Sequence, residues 1–363
     1  MLHLDSGQIL WIYAGFLVCA VLFSFLINGL FLKFSRTLGV KNQDETMVRW
    51  SSTSKPAVGG ISFYILFLFS IACYSILFEA VTYINDIVRF LGVMAACSLG
   101  FVVGLADDAY NTRPFLKFFA QFSSAIILIA TGTSINISGI TVIDYSLTVL
   151  WVVGLMNSIN MLDNMDGITT SVSISVILAV IYMLIVKDEV MSVYFITMLG
   201  VLAALLGFLY YNWNPSKIYM GDTGSQFLGV FLAAIGILYL WNGHAEINFR
   251  IQTKQFVVAL LVFIVPIIDT TTVTINRLLK GQSPFVGGKD HTTHHLSYLG
   301  LSDRQVALSF FGLSFLSVIF LVIIDQVIAS NWDYWHFGIF MAYFLTLFGF
   351  LYGITRVNKH KEK

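Results

Sequence analysis

Charged residues and cysteines are scarce in this sequence. Only 11% of its 363 residues are charged, whereas soluble domains carry about 25%, so a soluble globular protein is excluded. The three cysteines, Cys19, Cys73 and Cys97, lie in apolar stretches, which indicates small core residues rather than a disulfide framework or a metal site. Hydrophobic residues make up 57% of the chain, and apolar runs recur near the roughly 20 residues that a membrane-spanning helix requires.

These runs predict an all-α, polytopic integral membrane protein with about eleven transmembrane helices. The first run is too long for the core of a signal peptide and lacks a preceding basic segment, so we expect it to be retained as a span. No connection is long enough for a soluble domain, and we predict a single transmembrane domain over residues 1–363. The predicted spans, the fifth unusually short, lie at about 9–32, 58–78, 87–105, 115–131, 145–157, 168–186, 191–211, 223–241, 255–277, 306–325 and 335–355.

The distribution of lysine and arginine predicts the orientation of the chain. If the C-terminal tail is cytoplasmic, 16 of the 20 basic residues fall in cytoplasmic connections, and only Arg89, Lys187, Arg250 and Lys254 fall outside. This asymmetry follows the positive-inside rule. We therefore expect a cytoplasmic C-terminus, an N-terminus outside and an odd number of spans.

The clusters of acidic, amide and histidine side chains fall in four short connections on the predicted cytoplasmic side. Polar groups beside a bilayer are costly to keep, so this pattern indicates a functional site assembled from distant loops. The first connection contains Asp107-Asp108, followed by Arg113 and Lys117. Two adjacent carboxylates need a cation or a basic partner to be ionised together. They could hold Mg²⁺, activate a nucleophile or act as one, or they could simply cap the next helix.

The second connection repeats a polar residue at every third position, in Asn157, Asn160, Asp163 and Asp166, before Gly167. Residues three apart lie on one face of a helix, so we expect Asn160, Asp163 and Asp166 to project together. Such oxygen ligands suit Mg²⁺, and amide–acid pairs suit hydrogen bonds to a base or sugar. The alternative is a solvated helix start.

The third connection reads Tyr219-Met220-Gly221-Asp222-Thr223-Gly224-Ser225. Glycine on both sides of Asp222 allows the backbone to approach a ligand closely, and a helix N-terminus favours anions. Asp222 could bind a metal ion that bridges phosphates, and Tyr219 could stack on a flat ring. A plain turn with an aspartate cap is the simpler reading.

The fourth connection carries Asp290-His291-Thr292-Thr293-His294-His295. Three histidines could bind Zn²⁺, although no zinc-type ligand spacing is present, and they could also donate to phosphate oxygens. A surface loop is the alternative.

Three further features lie next to these connections. Asp269 follows Pro266 inside the ninth span, where an acid is expected to be functional or to make a structural hydrogen bond, and Pro266 could kink the helix. Arg277 is about two turns later. Arg49 and Lys55 precede the second span, and Lys55 could reach a phosphate or an anionic lipid, or serve only as a topogenic charge.

Taken together, these motifs resemble the polyprenyl-phosphate N-acetylhexosamine-1-phosphate transferases. The similarity runs from about Arg49 to Arg304, in the order Lys-Pro-x-x-Gly-Gly, Asp-Asp, Asn-x-x-Asn-x-x-Asp-x-x-Asp-Gly, Met-Gly-Asp-x-Gly-Ser, Pro-x-x-Asp and a histidine cluster. With eleven predicted spans, the chain resembles the bacterial undecaprenyl-phosphate GlcNAc-1-phosphate transferase branch of this family. The related phospho-MurNAc-pentapeptide transferases have ten spans and a contiguous histidine motif that this chain lacks. The departures are Thr293 in place of the middle histidine of the family's cluster, His295 in place of its arginine, and Ser51-Ser52-Thr53 where the family has a histidine.

The resemblance implies a Mg²⁺-dependent enzyme, with Mn²⁺ as a substitute. It would transfer an N-acetylhexosamine-1-phosphate, GlcNAc-1-phosphate being expected, from a UDP-sugar to undecaprenyl phosphate with release of UMP. This step initiates cell-surface polysaccharide synthesis on the cytoplasmic face of the bacterial inner membrane. The expected partners are the UDP-N-acetylhexosamine, the polyprenyl phosphate and the bilayer, without nucleic acid, and a homodimer is left open.

The resemblance also assigns roles to residues. The metal ligands would be Asn160 and Asp222. The catalytic residues would be Asp107, Asp108, Lys117, His291 and His294. The substrate-binding residues would be Lys55, Asp163, Asp166, Tyr219, Arg277 and His295. The alternatives are a phospho-MurNAc-pentapeptide transferase and, from another class, a secondary transporter, against which the crowding of polar residues at one face and the lack of an internal repeat argue.

Overall fold

The computed structural model describes residues 6–37, 55–78, 84–243, 253–283, 288–328 and 331–357. Arg49 and Ser51-Ser52-Thr53 lie outside these residues. Throughout the described part the secondary structure is helical, apart from one isolated β-bridge between Ala57 and Tyr219. The all-α prediction is therefore confirmed. The helices are α1 (Ser6–Thr37), α2 (Gly59–Leu77), α3 (Ile84–Tyr110), α4 (Pro114–Ala130), α5 (Thr141–Leu162), α6 (Ile168–Val186), α7 (Val193–Asn212), α8 (Gly221–Gly236, continued by a π-helical turn at Ile237–Trp241), α9 (Thr253–Val262), α10 (Ile264–Leu279), α11 (Thr292–Tyr298), α12 (Asp303–Ile323, continued by a π-helical turn at Ile324–Ile328) and α13 (Tyr334–Val357).

Length and composition identify the membrane-spanning helices. Among the described residues, nine helices are long and apolar enough to cross a membrane, and the bent pair α9–α10 makes a tenth if it is one span. Helix α4 is apolar but has 17 residues, which corresponds to about 25 Å of helix. The eleven predicted spans correspond to these nine helices, the bent pair and α4. The chain is thus a multi-pass membrane protein.

Helix α5 differs most from its prediction. It has 22 residues, whereas the hydropathy pattern predicted a short fifth span at about 145–157. The reason is that both of its ends are polar but still helical. Near its start, the Asp144 carboxylate accepts hydrogen bonds from the backbone N–H and the hydroxyl of Ser138, at 3.0 and 2.8 Å. Near its other end lie Asn157 and Asn160, which lower the local hydropathy.

The ninth predicted span is broken. Helices α9 and α10 meet at an angle of 78°, with Phe263 between them. Pro266 has no backbone N–H to donate to the carbonyl of Val262, four residues earlier, so the helix cannot continue across this point. The expected kink at Pro266 is confirmed, and the bend places Asp269 and Arg277 together on the separate helix α10.

Helix α8 is the centre of the packing. Every residue of α8 from Thr223 to Gly236 is buried, because five other helices pack around it: α2, α3, α4, α5 and α6. The outer helices instead expose large apolar side chains such as Trp11 and Tyr334, as expected of surfaces that face lipid. Since α8 begins at Gly221, its first turn, with Asp222, lies among the ends of its neighbours.

Candidate active site

One lysine joins two carboxylates at the start of α8. The Lys117 ammonium lies 2.8 Å from Asp107 Oδ2 and 3.1 Å from Asp222 Oδ2. Asp107 is near the end of α3, Lys117 is in the first turns of α4, and Asp222 opens α8. Two acids share one cation here, so the cluster can accept further positive charge.

The adjacent acids Asp107 and Asp108 have different surroundings. Asp107 Oδ1 accepts hydrogen bonds from the backbone N–H and the hydroxyl of Thr112, at 2.9 and 2.5 Å, and Asp107 Oδ2 contacts Lys117. The Asp108 carboxylate accepts from the backbone N–H groups of Asp222 and Thr223, at 3.0 and 2.8 Å, and from the Thr223 hydroxyl at 2.6 Å. Asp108 therefore caps α8, whereas Asp107 faces the lysine.

Two glycines allow this close approach of α3 and α8. A Cβ atom at Gly104 would lie 2.2 Å from the carbonyl oxygen of Asp222, so a larger residue would separate the two helices. Gly221 has a φ of +71°, and a Cβ atom there would lie 2.6 Å from Asp108 Oδ2. The glycines in these motifs thus position Asp108 against the first turn of α8.

Asn160 reaches the same cluster from α5. Its side-chain amide donates to Asp222 Oδ1 and, at 2.8 Å, to the Ser225 hydroxyl. The prediction that Asn160, Asp163 and Asp166 share one helix face is wrong, because α5 ends at Leu162 and Asp163 is already non-helical. The structure thus separates Asn160, beside Asp222, from Asp166, which belongs to a second cluster.

The second cluster joins Lys55 to the loops after α5 and α7. The Asp166 carboxylate accepts hydrogen bonds from the backbone N–H and hydroxyl of Ser216, at 2.9 and 2.7 Å. The Lys55 ammonium lies 3.5 Å from Asp166 and 2.9 Å from the Ser216 hydroxyl, and 5.1 Å from the centre of the Tyr219 ring. Lys55 is therefore built into the site, which a purely topogenic charge would not require.

The histidine segment is held by two buried acid–base pairs. Asp269 is fully buried; its Oδ2 lies 2.8 Å from His291 Nδ1, and its Oδ1 accepts from the N–H and hydroxyl of Thr292. Arg277 donates through Nε and Nη2 to the two oxygens of Asp290, at 2.8 and 2.7 Å. Burial alone would raise the pKa of Asp290, but the hydrogen bonds and charge of Arg277 bring it below its ordinary value. Because Asp269 engages Nδ1 of His291, ring chemistry at His291 falls to Nε2.

The segment also contacts the second connection. The Thr293 hydroxyl donates to the side-chain oxygen of Asn164 at 2.7 Å, and α10 packs against α5. His294 and His295 are both buried. In the described part of the chain no three histidine, cysteine or acidic side chains are placed to hold a metal ion together, so the geometry gives no support to the Zn²⁺ alternative.

His294 is expected to remain uncharged in the folded protein. Burial, and then the charge of His291, lower the pKa of His294 from 6.5 to about 3. Below pH 6.5 the unfolded chain gains a proton that the folded chain does not, so stability should fall as the pH drops towards 3, by at most about 1.4 kcal/mol per pH unit. Thermal unfolding of purified protein between pH 7.5 and 5.5 should show this, and His294→Gln should reduce the acid sensitivity. His336→Gln is the matched control, and an unchanged pH dependence in His294→Gln would contradict the assignment.

Several residues of these clusters were not singled out by the motifs. These residues complete the hydrogen bonding of the motif residues, and they are Thr112, Asn164, Ser216 and Thr223. Each lies within a few residues of a motif, but serine and threonine are also common in membrane helices and turns. The sequence therefore carried no signal that would select them.

Acidic, basic and amide side chains from five connections thus meet at one end of a helical bundle, which is the arrangement of a membrane enzyme with a polar site at the bilayer surface. The model of glycosyl transferase family 4 matches residues 90–240, from α3 to the end of α8. A probable undecaprenyl-phosphate N-acetylglucosaminyl 1-phosphate transferase of Bacillus subtilis (strain 168) is 28% identical over 302 residues, which is 81% of this chain and 78% of that protein.

Two other relatives cover much of the chain. A decaprenyl-phosphate N-acetylglucosaminephosphotransferase of Mycobacterium leprae (strain TN) is 27% identical over 280 residues, 70% of each protein. A phospho-N-acetylmuramoyl-pentapeptide-transferase of Staphylococcus aureus (strain JH9) is 29% identical over 311 residues, 79% of this chain and 89% of that protein. The comparisons confirm the resemblance drawn from the motifs: the chain is related to the polyprenyl-phosphate N-acetylhexosamine-1-phosphate transferases and is an enzyme of this phosphotransferase type.

Proposed function

We propose that the protein transfers GlcNAc-1-phosphate from UDP-GlcNAc to undecaprenyl phosphate and releases UMP, at the cytoplasmic face of the bacterial inner membrane. The observation that carries this proposal is the cluster in which Lys117 bridges Asp107 and Asp222, with Asn160 against Asp222. It lies at the end of apolar spans, where a soluble nucleotide and a membrane-bound phosphate can meet.

The cluster suits Mg²⁺. The Asn160 side-chain amide lies against the Asp222 carboxylate, and a flip of this amide would place its oxygen there as a ligand. Asp107 shares Lys117 with Asp222. Magnesium is commonly held by one or two carboxylates, water and substrate phosphates rather than by a full protein cage, so these residues fit it, and Mn²⁺ would substitute. Bound there, the ion would neutralise oxygens of the diphosphate.

The reaction requires positioning more than acid–base chemistry. An oxygen of the lipid phosphate forms a bond to the β-phosphorus of the UDP-sugar, the bond from that phosphorus to the bridging oxygen breaks, and UMP leaves with the electron pair. A phosphate monoester has a second pKa of about 6, so the attacking oxygen is largely deprotonated at neutral pH. We therefore assign Asp107 to holding Lys117 in place, and Lys117 to the anionic oxygens of the reacting phosphates.

The remaining clusters are assigned to substrate binding. Tyr219, Lys55 and Asp166 form one wall, which suits a ring and its hydroxyl groups. Asp163 directly follows α5, shortly before Asp166 in the sequence. We assign the histidine segment and Arg277 to the phosphate and sugar, with His291, His294 and His295 as the residues concerned. Since His294 is neutral in the free protein, it would act as a hydrogen-bond donor rather than as a cation.

A donor panel tests the function. Purified protein in detergent, with undecaprenyl phosphate and Mg²⁺, should release UMP from UDP-GlcNAc, and omission of the lipid phosphate should stop the release. UDP-GalNAc and UDP-MurNAc-pentapeptide are the comparison donors. Preference for UDP-MurNAc-pentapeptide would move the protein to the second candidate, which the Staphylococcus relative favours. No release from any donor would contradict both.

Tyr219 is expected to bind the nucleotide rather than to act in catalysis. An aromatic stacking contact contributes about 1 kcal/mol beyond burial, and contacts kept in the ground and transition states change KM more than kcat. Tyr219→Ala should raise KM for the UDP-sugar several-fold, whereas Tyr219→Phe keeps the ring and should be nearly silent. A loss of kcat at constant KM in Tyr219→Ala would remove Tyr219 from the nucleotide site.

The orientation is open to direct labelling. In a background in which the three cysteines are replaced by alanine, single cysteines at the exposed positions Arg113 and Asn331 should lie on opposite faces. With a membrane-impermeant thiol reagent on intact cells, we expect labelling at position 331 and at position 113 only after lysis. The reverse pattern would show that the candidate site faces outward.

A further inference from the structure

A second polar cavity lies at the opposite ends of the helices that build the candidate active site. Its volume is about 440 Å³, and its lining includes Asp86 and Arg89 near the start of α3 and Tyr239 and Asn242 at the end of α8. Asp86 precedes Asp107 by 21 residues, which is about 32 Å of helix. The same α3 and α8 that end in Asp107 and begin with Asp222 therefore reach this cavity across the width of a membrane.

The acceptors in the cavity are already engaged. Glu189 accepts a hydrogen bond from the Tyr239 hydroxyl at 3.1 Å, and Asp86 lies 3.9 Å from one Arg89 nitrogen. The Asn242 side chain joins the backbone of Ser134 and Asn136. Each acid in the lining therefore has a hydrogen-bond donor or a cation beside it.

The donors, in contrast, are not filled. Arg89 Nε and the Tyr194 hydroxyl are buried and have no hydrogen-bond partner among the residues that the structure describes. The Lys187 ammonium lies 5.6 Å from the centre of the Tyr239 ring, a contact that uses none of its N–H groups. Arg89, Lys187 and Tyr194 all line this one cavity, and α7 begins beside it at Val193.

The donor groups of Arg89, Lys187 and Tyr194 favour an anionic ligand with several acceptor oxygens. A guanidinium fork matches phosphate geometry, and a helix N-terminus favours negative charge. Lys187, Gly132 and Asn242 each lie just beyond the end of an apolar helix, which is the depth of lipid headgroups. We propose that this cavity binds the phosphate group of a membrane phospholipid, on the membrane face opposite the candidate active site.

Lipid binding to the purified full-length protein tests the proposal. Native mass spectrometry with phosphatidylglycerol should show one tightly held lipid per chain. Arg89→Gln and Lys187→Met should each weaken this binding about ten-fold or more, since each removes a charge-assisted hydrogen bond. Lys280→Gln, which removes an exposed cation at the end of α10, is the matched control and should bind as the wild type does.

Tyr194→Phe separates binding from folding. Its hydroxyl has no partner in the described part of the protein, so its removal should leave the thermal stability unchanged while weakening the lipid several-fold. Diacylglycerol, which lacks the phosphate, should not bind, and millimolar inorganic phosphate should not displace the lipid. Equal binding of diacylglycerol, displacement by free phosphate, or unchanged affinity in all three variants would overturn the proposal.

Discussion

Asp222→Asn is expected to lower the rate of GlcNAc-1-phosphate transfer by about 10²–10³-fold, as the loss of one charged group at a phosphoryl-transfer site does. Asp222 contacts Lys117 and Asn160 and is the first acidic residue of α8. Asparagine has the same shape but cannot neutralise a cation. The variant should therefore need more Mg²⁺ for its residual activity, which a titration of the metal ion measures.

The folded structure should survive this change. Asp222 and Asp107 share one lysine, so removal of one carboxylate reduces repulsion in the cluster, and the unfolding temperature should not fall. Asp188→Asn is the matched control: Asp188 is exposed and has a φ of 56°, which asparagine adopts readily. Near-normal transfer by Asp222→Asn in the presence of a chelator would remove Asp222 from the metal site.

Lys117→Met is expected to have an effect of similar size, about 10²–10³-fold on turnover. It leaves the carboxylates of Asp107 and Asp222 without their shared ammonium, and it removes the cation assigned to the reacting phosphates. Lys117→Arg keeps the charge but changes its geometry, so partial activity is expected. Initial rates with saturating UDP-GlcNAc measure the effect on kcat.

Arg113→Met is the control for Lys117. From the sequence alone, both residues are equally suited to pair with Asp107-Asp108, since both follow these acids. The structure separates them, because Lys117 contacts both acids whereas Arg113 is exposed before the first turn of α4. If Arg113→Met lost as much activity as Lys117→Met, general positive charge rather than the bridging contact would explain the result.

Much of the fold follows from hydropathy because a bilayer imposes strict rules on length and polarity. Every predicted span corresponds to a helix or, for the ninth, to the bent pair α9–α10, and Pro266 marked that bend. The error at α5 arose where polar residues remain helical because their side chains find partners inside the protein, as Asn157 does with Gln121. Hydropathy averages over a window and cannot represent such pairs.

The grouping of the site residues was only partly predictable. The motifs identified which connections carry polar groups, and contacts such as Asn160 with Asp222 and Lys55 with Asp166 now join those connections. The sequence could not show that Asp108 caps α8 while Asp107 faces Lys117, because neighbours on a helix point in different directions. The three-residue spacing also led to the wrong expectation that α5 continues past Leu162, where the helix ends.

The partners of Asp269 and Arg277 could not be predicted from the sequence either. Asp269 and Arg277 lie on one helix, and their spacing in the sequence did not decide whether they pair with each other. In the structure each takes a partner from the segment before α11, His291 and Asp290 respectively. These pairs bring residues 290 and 291 against α10, and the sequence offers no periodic pattern that would predict this contact.

In the proposed reaction a sugar phosphate, rather than a sugar alone, passes to the lipid. The most direct measurement uses UDP-GlcNAc with ³²P in the β-phosphate, purified protein, undecaprenyl phosphate and Mg²⁺. We expect the label to enter the lipid fraction in a one-to-one ratio with GlcNAc, and unlabelled UMP to appear in equal amount. Labelled UDP in the aqueous fraction, with GlcNAc alone on the lipid, would contradict it.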